Sequence, residues 1–178
     1  MKIQIKDKNF IPYLSSVQLQ DRISQVGAKI TQDFHGKDLV VIGVLNGSFM
    51  FLADLCRVID LPLTCSFVKI SSYEGMESGE KIKSLIGLKE DLKNKYVLIV
   101  EDIVDTGISM KYMLEQVYGL NPAKVSIVTL LFKPEAFRFN YPIDYVCFEI
   151  PNKFVVGYGL DYDGFGRNLP DIYQLDTP

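Results

Sequence analysis

The sequence predicts an α/β fold: a central, mostly parallel sheet flanked by helices, with a small hood at its edge. Three observations predict it. Short, largely apolar runs at 39–45, 96–100 and 124–132 suit strands buried on both faces. Segments with apolar residues at helical spacing lie between such runs, and that alternation implies crossover connections and parallel pairing. From about residue 151 the rhythm breaks into loop-rich, aromatic sequence. The 178 residues therefore read as one domain, with a core of about 13–150 and a hood from about 1–12 and 151–178.

The elements follow in order. Residues 17–34 place Val17, Ile23, Val26, Ile30 and Phe34 on roughly one helical face, and Ser15 or Ser16 supplies the cap. His35, beside Gly36, reads as a surface residue at that helix end. A strand at 39–45 passes directly into a helix at 48–59. Residues 63–70 form a further strand. Residues 71–84 are polar and contain glycine, which reads as a loop, with a strand at 83–88 pairing beyond it. The central strand at 96–100 is followed by a helix at 108–119, with Met110, Met113, Leu114 and Val117 at helical spacing. Strands at 124–132 and 145–150 complete the sheet.

Composition excludes several classes. A formal charge of −3 and a pI near 5.2 argue against general nucleic-acid binding, which carries a basic footprint. No apolar run approaches the ~20 residues needed to cross a membrane. Residues 1–10 are charged and lack an apolar signal core. Cys56, Cys65 and Cys147 are scattered and odd in number, so they read as free, buried thiols in a reducing, cytoplasmic compartment. The absence of C-x-x-C spacing argues against a cysteine metal site. One histidine cannot build a histidine-rich metal site, and nothing suggests a His-dependent triad.

The chemistry concentrates where the central strand ends. Five apolar residues, 96–100, run into Glu101 and Asp102; Ile103 and Val104 follow, then Asp105-Thr106-Gly107-Ile108-Ser109 opens the next helix. Ligands of open α/β sheets bind outside the carboxyl ends of strands. Free N–H groups and the dipole at a helix N-terminus favour phosphate. An acid pair, a spacer and a phosphate loop together suggest a phosphorylated sugar with free hydroxyls. Taken alone, the pair also reads as a solvated corner. The Asp-Thr-Gly triplet also occurs in aspartic proteases, but there it needs an all-β context, and here it opens a helix.

A second strand–turn–helix junction lies at Leu45-Asn46-Gly47-Ser48. Asn-Gly is a hairpin signal, yet a helix follows instead of a strand. Asn-Gly-Ser is also a glycosylation sequon, without meaning in a cytoplasmic chain. Lys133 stands at the end of strand 124–132, where a solvated cation is the bland reading. Phe154-Val155-Val156 alone reads as a core strand. Asp161-Tyr162-Asp163-Gly164 lacks the remaining ligand spacing of a calcium loop.

These motifs, in order from about Gly43 to Arg167, resemble the type I phosphoribosyltransferase family, and most closely its hypoxanthine-guanine branch. The resemblance implies transfer of a 5-phosphoribosyl group from phosphoribosyl diphosphate to N9 of a 6-oxopurine. It implies that Asp105, Thr106, Gly107, Ile108 and Ser109 wrap the 5′-phosphate, and that Glu101 and Asp102 hold the ribose hydroxyls and Mg²⁺. Asp105 would also accept the proton of purine N7. Leu45, Asn46 and Gly47 would bind pyrophosphate through backbone N–H groups, with a cis peptide between Leu45 and Asn46. Many relatives carry Lys or Arg in place of Asn46, which puts backbone binding above side-chain charge. Ser72 and Tyr73 would belong to a lid that excludes water from a forming sugar cation. Lys133 would donate to the 6-oxo group, Phe154 would stack on the base and the backbone of Val155 would pair with its edge. Asp161 would meet a second Mg²⁺ or the 2-amino group of guanine. Arg167 would reach the pyrophosphate. The family forms homodimers and homotetramers.

Two alternatives stay open in the sequence. One is a relative that prefers xanthine or a pyrimidine. The other is a non-catalytic, nucleotide-sensing regulator of the same fold that binds RNA. The acidic charge counts against the regulator, and the intact acid pair with Asp105 counts for catalysis.

Overall fold

The computed structural model describes residues 2–73 and 81–176. Among them, six strands form one sheet in the order β5-β4-β3-β6-β7-β8. These are β3 (Leu39–Leu45), β4 (Leu63–Tyr73), β5 (Lys81–Ile86), β6 (Tyr96–Val104), β7 (Lys124–Phe132) and β8 (Tyr145–Glu149). The five from β4 to β8 in that order pair in parallel, and β5 adds antiparallel at the edge. A second sheet joins the two ends of the chain. Its strands are β1 (Ile3–Ile5), β2 (Lys8–Leu14), β9 (Val155–Val156) and β10 (Ile172–Leu175), in the order β1-β2-β10-β9.

Among the described residues, three helices cover the larger sheet. Helix α1 (Ser16–Asp33) starts with a capping box, in which the Ser15 hydroxyl accepts from the Gln18 N–H and the Gln18 side chain accepts from the Ser15 N–H. Both orphan donors are thereby satisfied. Its face of Leu19, Ile23, Val26 and Ile30 is buried. Helix α2 (Phe49–Val58) packs in the same core, whereas α3 (Ile108–Tyr118) packs in a separate one. The α1/α2 core also takes in Val155, Tyr158, Leu160 and Ile172, so the smaller sheet and the loops beside it are seated on the same side. The other core gathers Val40, Ile42, Val97 and Ile99 beneath Met110, Met113 and Val117 of α3. None of the described helices is long and apolar enough to cross a membrane.

The structure corrects four expectations. Residues 71–73 and 81–82 belong to strands β4 and β5, not to a loop, and the strand expected at 83–88 is β5, shifted by two residues. Residues 74–80, the rest of the expected lid, lie outside the described residues. The central strand does not stop at Val100. Its ladder with β7 continues through Ile103 to Val104, which places Glu101 and Asp102 inside a strand. The charged N-terminal segment forms β1 and β2, and β2 runs past the expected hood boundary to Leu14. Of the three free thiols only Cys147 is buried; Cys65 is exposed and Cys56 is intermediate. Burial still pushes the Cys147 and Cys56 thiols up to about 12. His35 is exposed, as its position implied.

Candidate active site

The ends of β3, β6 and β7 converge on one place. After β3 the Leu45–Asn46 peptide is cis, Asn46 is exposed, and Gly47 and Ser48 are buried. The Ser48 hydroxyl donates back to the Val44 carbonyl at 2.6 Å. No side chain caps the N-terminus of α2, and the Phe49 N–H donates to the Asn46 carbonyl at 3.4 Å. Gly47 packs so closely against β6 that a Cβ there would overlap the Asp102 carboxylate. Gly159, with φ +101°, lies in turn against the Gly47 carbonyl. Three segments distant in sequence are thus interlocked around one carboxylate.

Glu101 is buried, at 8% exposure. Burial, and then the neighbouring charge of Asp102, push its carboxyl well above the usual range. Burial also raises Asp102, although hydrogen bonds from Glu101 and from the Ile103 N–H, and the Arg167 charge, pull the other way. The physical statement is that two adjacent, desolvated carboxylates resist ionising together. A cation between them would reverse that preference. No three His, Cys, Asp or Glu side chains are grouped to hold a metal ion among the described residues. The donor set therefore fits a cation that takes one or two carboxylates from the protein and the rest of its oxygens from substrate and water, as Mg²⁺ does.

The loop after β6 forms a concavity of about 100 Å³, lined by Glu101, Ile103 and the stretch from Val104 to Met110. Gly107 is the N-cap of α3, with φ +85° and no side-chain cap. Only glycine adopts that left-handed geometry without strain. A second cavity of about 270 Å³ lies next to it, lined by Asp102, Ile103, Asp105, Lys133, Phe154, Val155, Leu160 and Asp161. Asp105 and Ile103 line both cavities. Every residue expected to meet the phosphate lines the first, and every residue expected to meet the purine lines the second.

Lys133 is not a solvated strand end. It is 7% exposed, and its ammonium donates to Asp105 Oδ2 at 2.8 Å and to Asn152 Oδ1 at 3.3 Å. Val155 and Val156 form a buried strand, as the bland reading held, but Phe154 before them is 46% exposed. Phe154 meets Phe10 and Tyr162, with ring centroids 6.3 and 5.8 Å away. Asp161 does not join the acid pair in a metal-binding group. Its Oδ1 lies 2.7 Å from Arg167 Nη2, and its Oδ2 accepts from the Gly164 N–H at 2.7 Å. Arg167 Nη1 donates to the Gly159 carbonyl at 2.7 Å. Ser72 and Tyr73 end β4, opposite Ile82 and Lys81 of β5.

Sequence reasoning missed several lining and supporting residues. Ile103 read as a spacer, yet it shares both cavities with Asp105. Asn152 carried no assigned role in the purine loop, although it holds Lys133. Phe137 and Tyr141 pack on Gly107, where a Cβ would come within 2.6 Å of either side chain. The aromatic spacing Phe137, Phe139, Tyr141 was the available signal.

A hollow at a helix N-terminus, an acid pair and an adjoining cavity lined by Lys133 and Phe154 make a site suited to a phosphorylated sugar beside a flat, polar ring. Comparison with known proteins agrees. Residues 14–163 match the phosphoribosyl transferase domain. The chain is 43% identical over 166 residues to a hypoxanthine phosphoribosyltransferase of Haemophilus influenzae, covering 91% of this chain and 93% of the relative. It is 40% identical to a hypoxanthine-guanine phosphoribosyltransferase of Streptococcus pneumoniae, covering 91% of each. A crystal structure of a hypoxanthine phosphoribosyltransferase from Staphylococcus aureus superposes with a TM-score of 0.85 at 40% identity, covering 93% of this chain and 91% of that one. The chain belongs to the phosphoribosyltransferase family, among the relatives named hypoxanthine and hypoxanthine-guanine phosphoribosyltransferases.

Proposed function

We propose that this chain is a purine-salvage enzyme that transfers the 5-phosphoribosyl group of phosphoribosyl diphosphate to N9 of hypoxanthine or guanine, releasing pyrophosphate. The observation that carries this reading is the shared wall: Asp105 borders the phosphate-sized hollow on one side and the Lys133–Phe154 cavity on the other. A nucleoside monophosphate has a phosphate at one end and a base at the other, and it would span the two.

Each residue has a role on this reading. The backbone from Asp105 to Ser109 holds the 5′-phosphate at the helix N-terminus. Leu45, Asn46 and Gly47 present backbone to the pyrophosphate. Glu101 and Asp102 bind the ribose hydroxyls and hold Mg²⁺, which when bound supplies charge neutralisation for the departing diphosphate. Phe154 stacks on the base, the Val155 backbone pairs with its edge, and Lys133 donates to O6. Asp105 accepts the proton of N7 as N9 attacks. Arg167 serves the pyrophosphate as a multi-donor fork. Asp161 would meet a second Mg²⁺ or the 2-amino group of guanine. Ser72 and Tyr73 belong to the lid. The protein's contribution is positioning and charge screening around a cation-like sugar.

The smaller sheet acts as the hood over the base. The assembly is a homodimer or homotetramer, testable by light scattering. Three free thiols support a cytoplasmic setting, and the formal charge of −3 speaks against a nucleic-acid partner. The experiment is a panel of hypoxanthine, guanine, xanthine, adenine and uracil with phosphoribosyl diphosphate and Mg²⁺, following nucleotide formation. Product from hypoxanthine or guanine supports the assignment. Product from xanthine or uracil alone moves the chain to another branch, and no product from any base refutes it.

A further inference from the structure

We propose that Tyr141 is a positioning residue for the phosphate loop, setting through one hydrogen bond how well the loop holds a 5′-phosphate. The proposal rests on the reading that residues 105–109 bind that phosphate. Two carbonyls of the loop are gripped from the segment that follows β7. The Thr106 carbonyl accepts from the Arg138 N–H at 3.2 Å. The Gly107 carbonyl accepts from the Tyr141 hydroxyl at 2.6 Å, and from the Lys111 N–H at 2.9 Å. In a trans peptide unit the C=O and the following N–H point opposite ways. Fixing those two carbonyls toward residues 138–141 therefore turns the N–H groups of Gly107 and Ile108 away from that segment, toward the concavity that their own residues line.

The brace is built to stay in place. Tyr141 meets Phe137 edge-on at 5.1 Å and stacks on Phe139 at 5.6 Å. The Lys111 ammonium of α3 sits 5.4 Å above the Phe139 ring, which ties the cluster to the helix that the loop begins. The missing side chain at Gly107 lets these rings approach the backbone. Burial, and then the Glu101 charge, hold the Tyr141 hydroxyl above its ordinary range, so it remains a donor throughout neutral pH.

The test compares the wild-type enzyme with Tyr141→Phe, which keeps the ring and removes the donor, and with Ser109→Ala in the loop itself. Affinities for IMP and inosine are measured by calorimetry, and KM is measured for both substrates with Mg²⁺ present. Loss of one hydrogen bond should weaken IMP, and raise KM for phosphoribosyl diphosphate, by about two- to tenfold. Inosine affinity and KM for hypoxanthine should stay unchanged, and the melting curve should fall only by the amount that loss of one hydrogen bond brings. Equal weakening of inosine and IMP overturns the proposal, since general loosening would do that. Wild-type IMP affinity in Tyr141→Phe, with Ser109→Ala weakened, overturns the brace alone. IMP binding that neither substitution moves, and that inosine matches, overturns the phosphate assignment and the brace with it.

Discussion

Replacing Lys133 by Met is the sharpest perturbation of base selectivity. The ammonium has three N–H donors and no acceptor. Asp105 Oδ2 takes one at 2.8 Å and Asn152 Oδ1 another at 3.3 Å, which leaves one for a ligand acceptor. O6 of hypoxanthine or guanine accepts it; the amino group of adenine sets donor against donor. A site built around such a bond rejects the wrong group by about 10⁴–10⁵. A hydrogen bond to a charged donor contributes about 1.5–3 kcal/mol, or about 10- to 150-fold in rate at roughly 1.4 kcal/mol per decade. Lys133→Met should therefore lower kcat/KM for the oxopurines by about 10- to 150-fold, leave adenine near zero, and so narrow the gap from one side. Met fills the space of the stem, and Asp105, with its side chain 44% exposed, remains solvated, so folding is retained. The assay is kcat/KM for each base in both proteins, with melting curves as a control. Adenine used by the wild type within about tenfold of the better oxopurine, a gap of only ~1.4 kcal/mol, would refute the reasoning. So would a Met variant with undiminished oxopurine turnover.

Three further outcomes are expected. Asp105→Asn keeps the loop's size but removes the proton acceptor, and should lower turnover by about 10²–10⁴-fold with smaller changes in substrate affinity; unchanged nucleotide formation removes Asp105 from the chemistry. Activity should disappear in excess chelator, and Glu101→Gln with Asp102→Asn should weaken phosphoribosyl diphosphate more than the base; full turnover with chelator present defeats the Mg²⁺ requirement. The raised Glu101 carboxyl makes a pH-dependent stability prediction. Its folded state prefers the proton, so its contribution is complete below the ordinary value of 4.5 and is lost as pH rises through the higher folded value. Glu101→Gln should therefore melt higher than wild type at pH 8 without Mg²⁺ and lose that advantage near pH 4.5; equal melting at both pH values would show that Glu101 carries no desolvation penalty.

Much of this was legible because parallel α/β folds write their core into short apolar runs. β3 and β7 matched the runs to the residue, since both faces of those strands are buried. The acid pair was legible in kind but misplaced in geometry. Two carboxylates read as an exit from the sheet, whereas Ile103 and Val104 keep the β6–β7 ladder going beneath them. Backbone pairing does not depend on side-chain charge, and the space beside Asp102 is provided by Gly47, 55 residues earlier (102 − 47). The partners of Lys133 were illegible for the same reason. Asn152 and Asp105 reach it from a hood loop and from the loop after β6, and no local periodicity encodes that meeting. The hood strands were hidden because a four-stranded antiparallel sheet built from both chain ends leaves only brief alternation in each segment.

The Lys133–Asp105 pair also explains why one strand end can serve both recognition and proton transfer. On the proposed reading a 6-oxopurine presents O6 and N7 side by side along one edge. An acceptor next to a proton-bearing nitrogen calls for a donor next to an acceptor, and Lys133 Nζ and Asp105 Oδ2 stand 2.8 Å apart in that arrangement. Asp105 Oδ2 is occupied by the ammonium, which leaves Oδ1 to face N7. On that reading the lysine would do two things at once: read O6, and hold the Asp105 carboxylate at the wall between the base and the phosphate hollow. Adenine fails at the O6 position, and without a hydrogen bond there its N7 is not held against Asp105. On the proposed reading selectivity and catalysis would be coupled through one ion pair, so substitutions at Lys133 and Asp105 should not be additive.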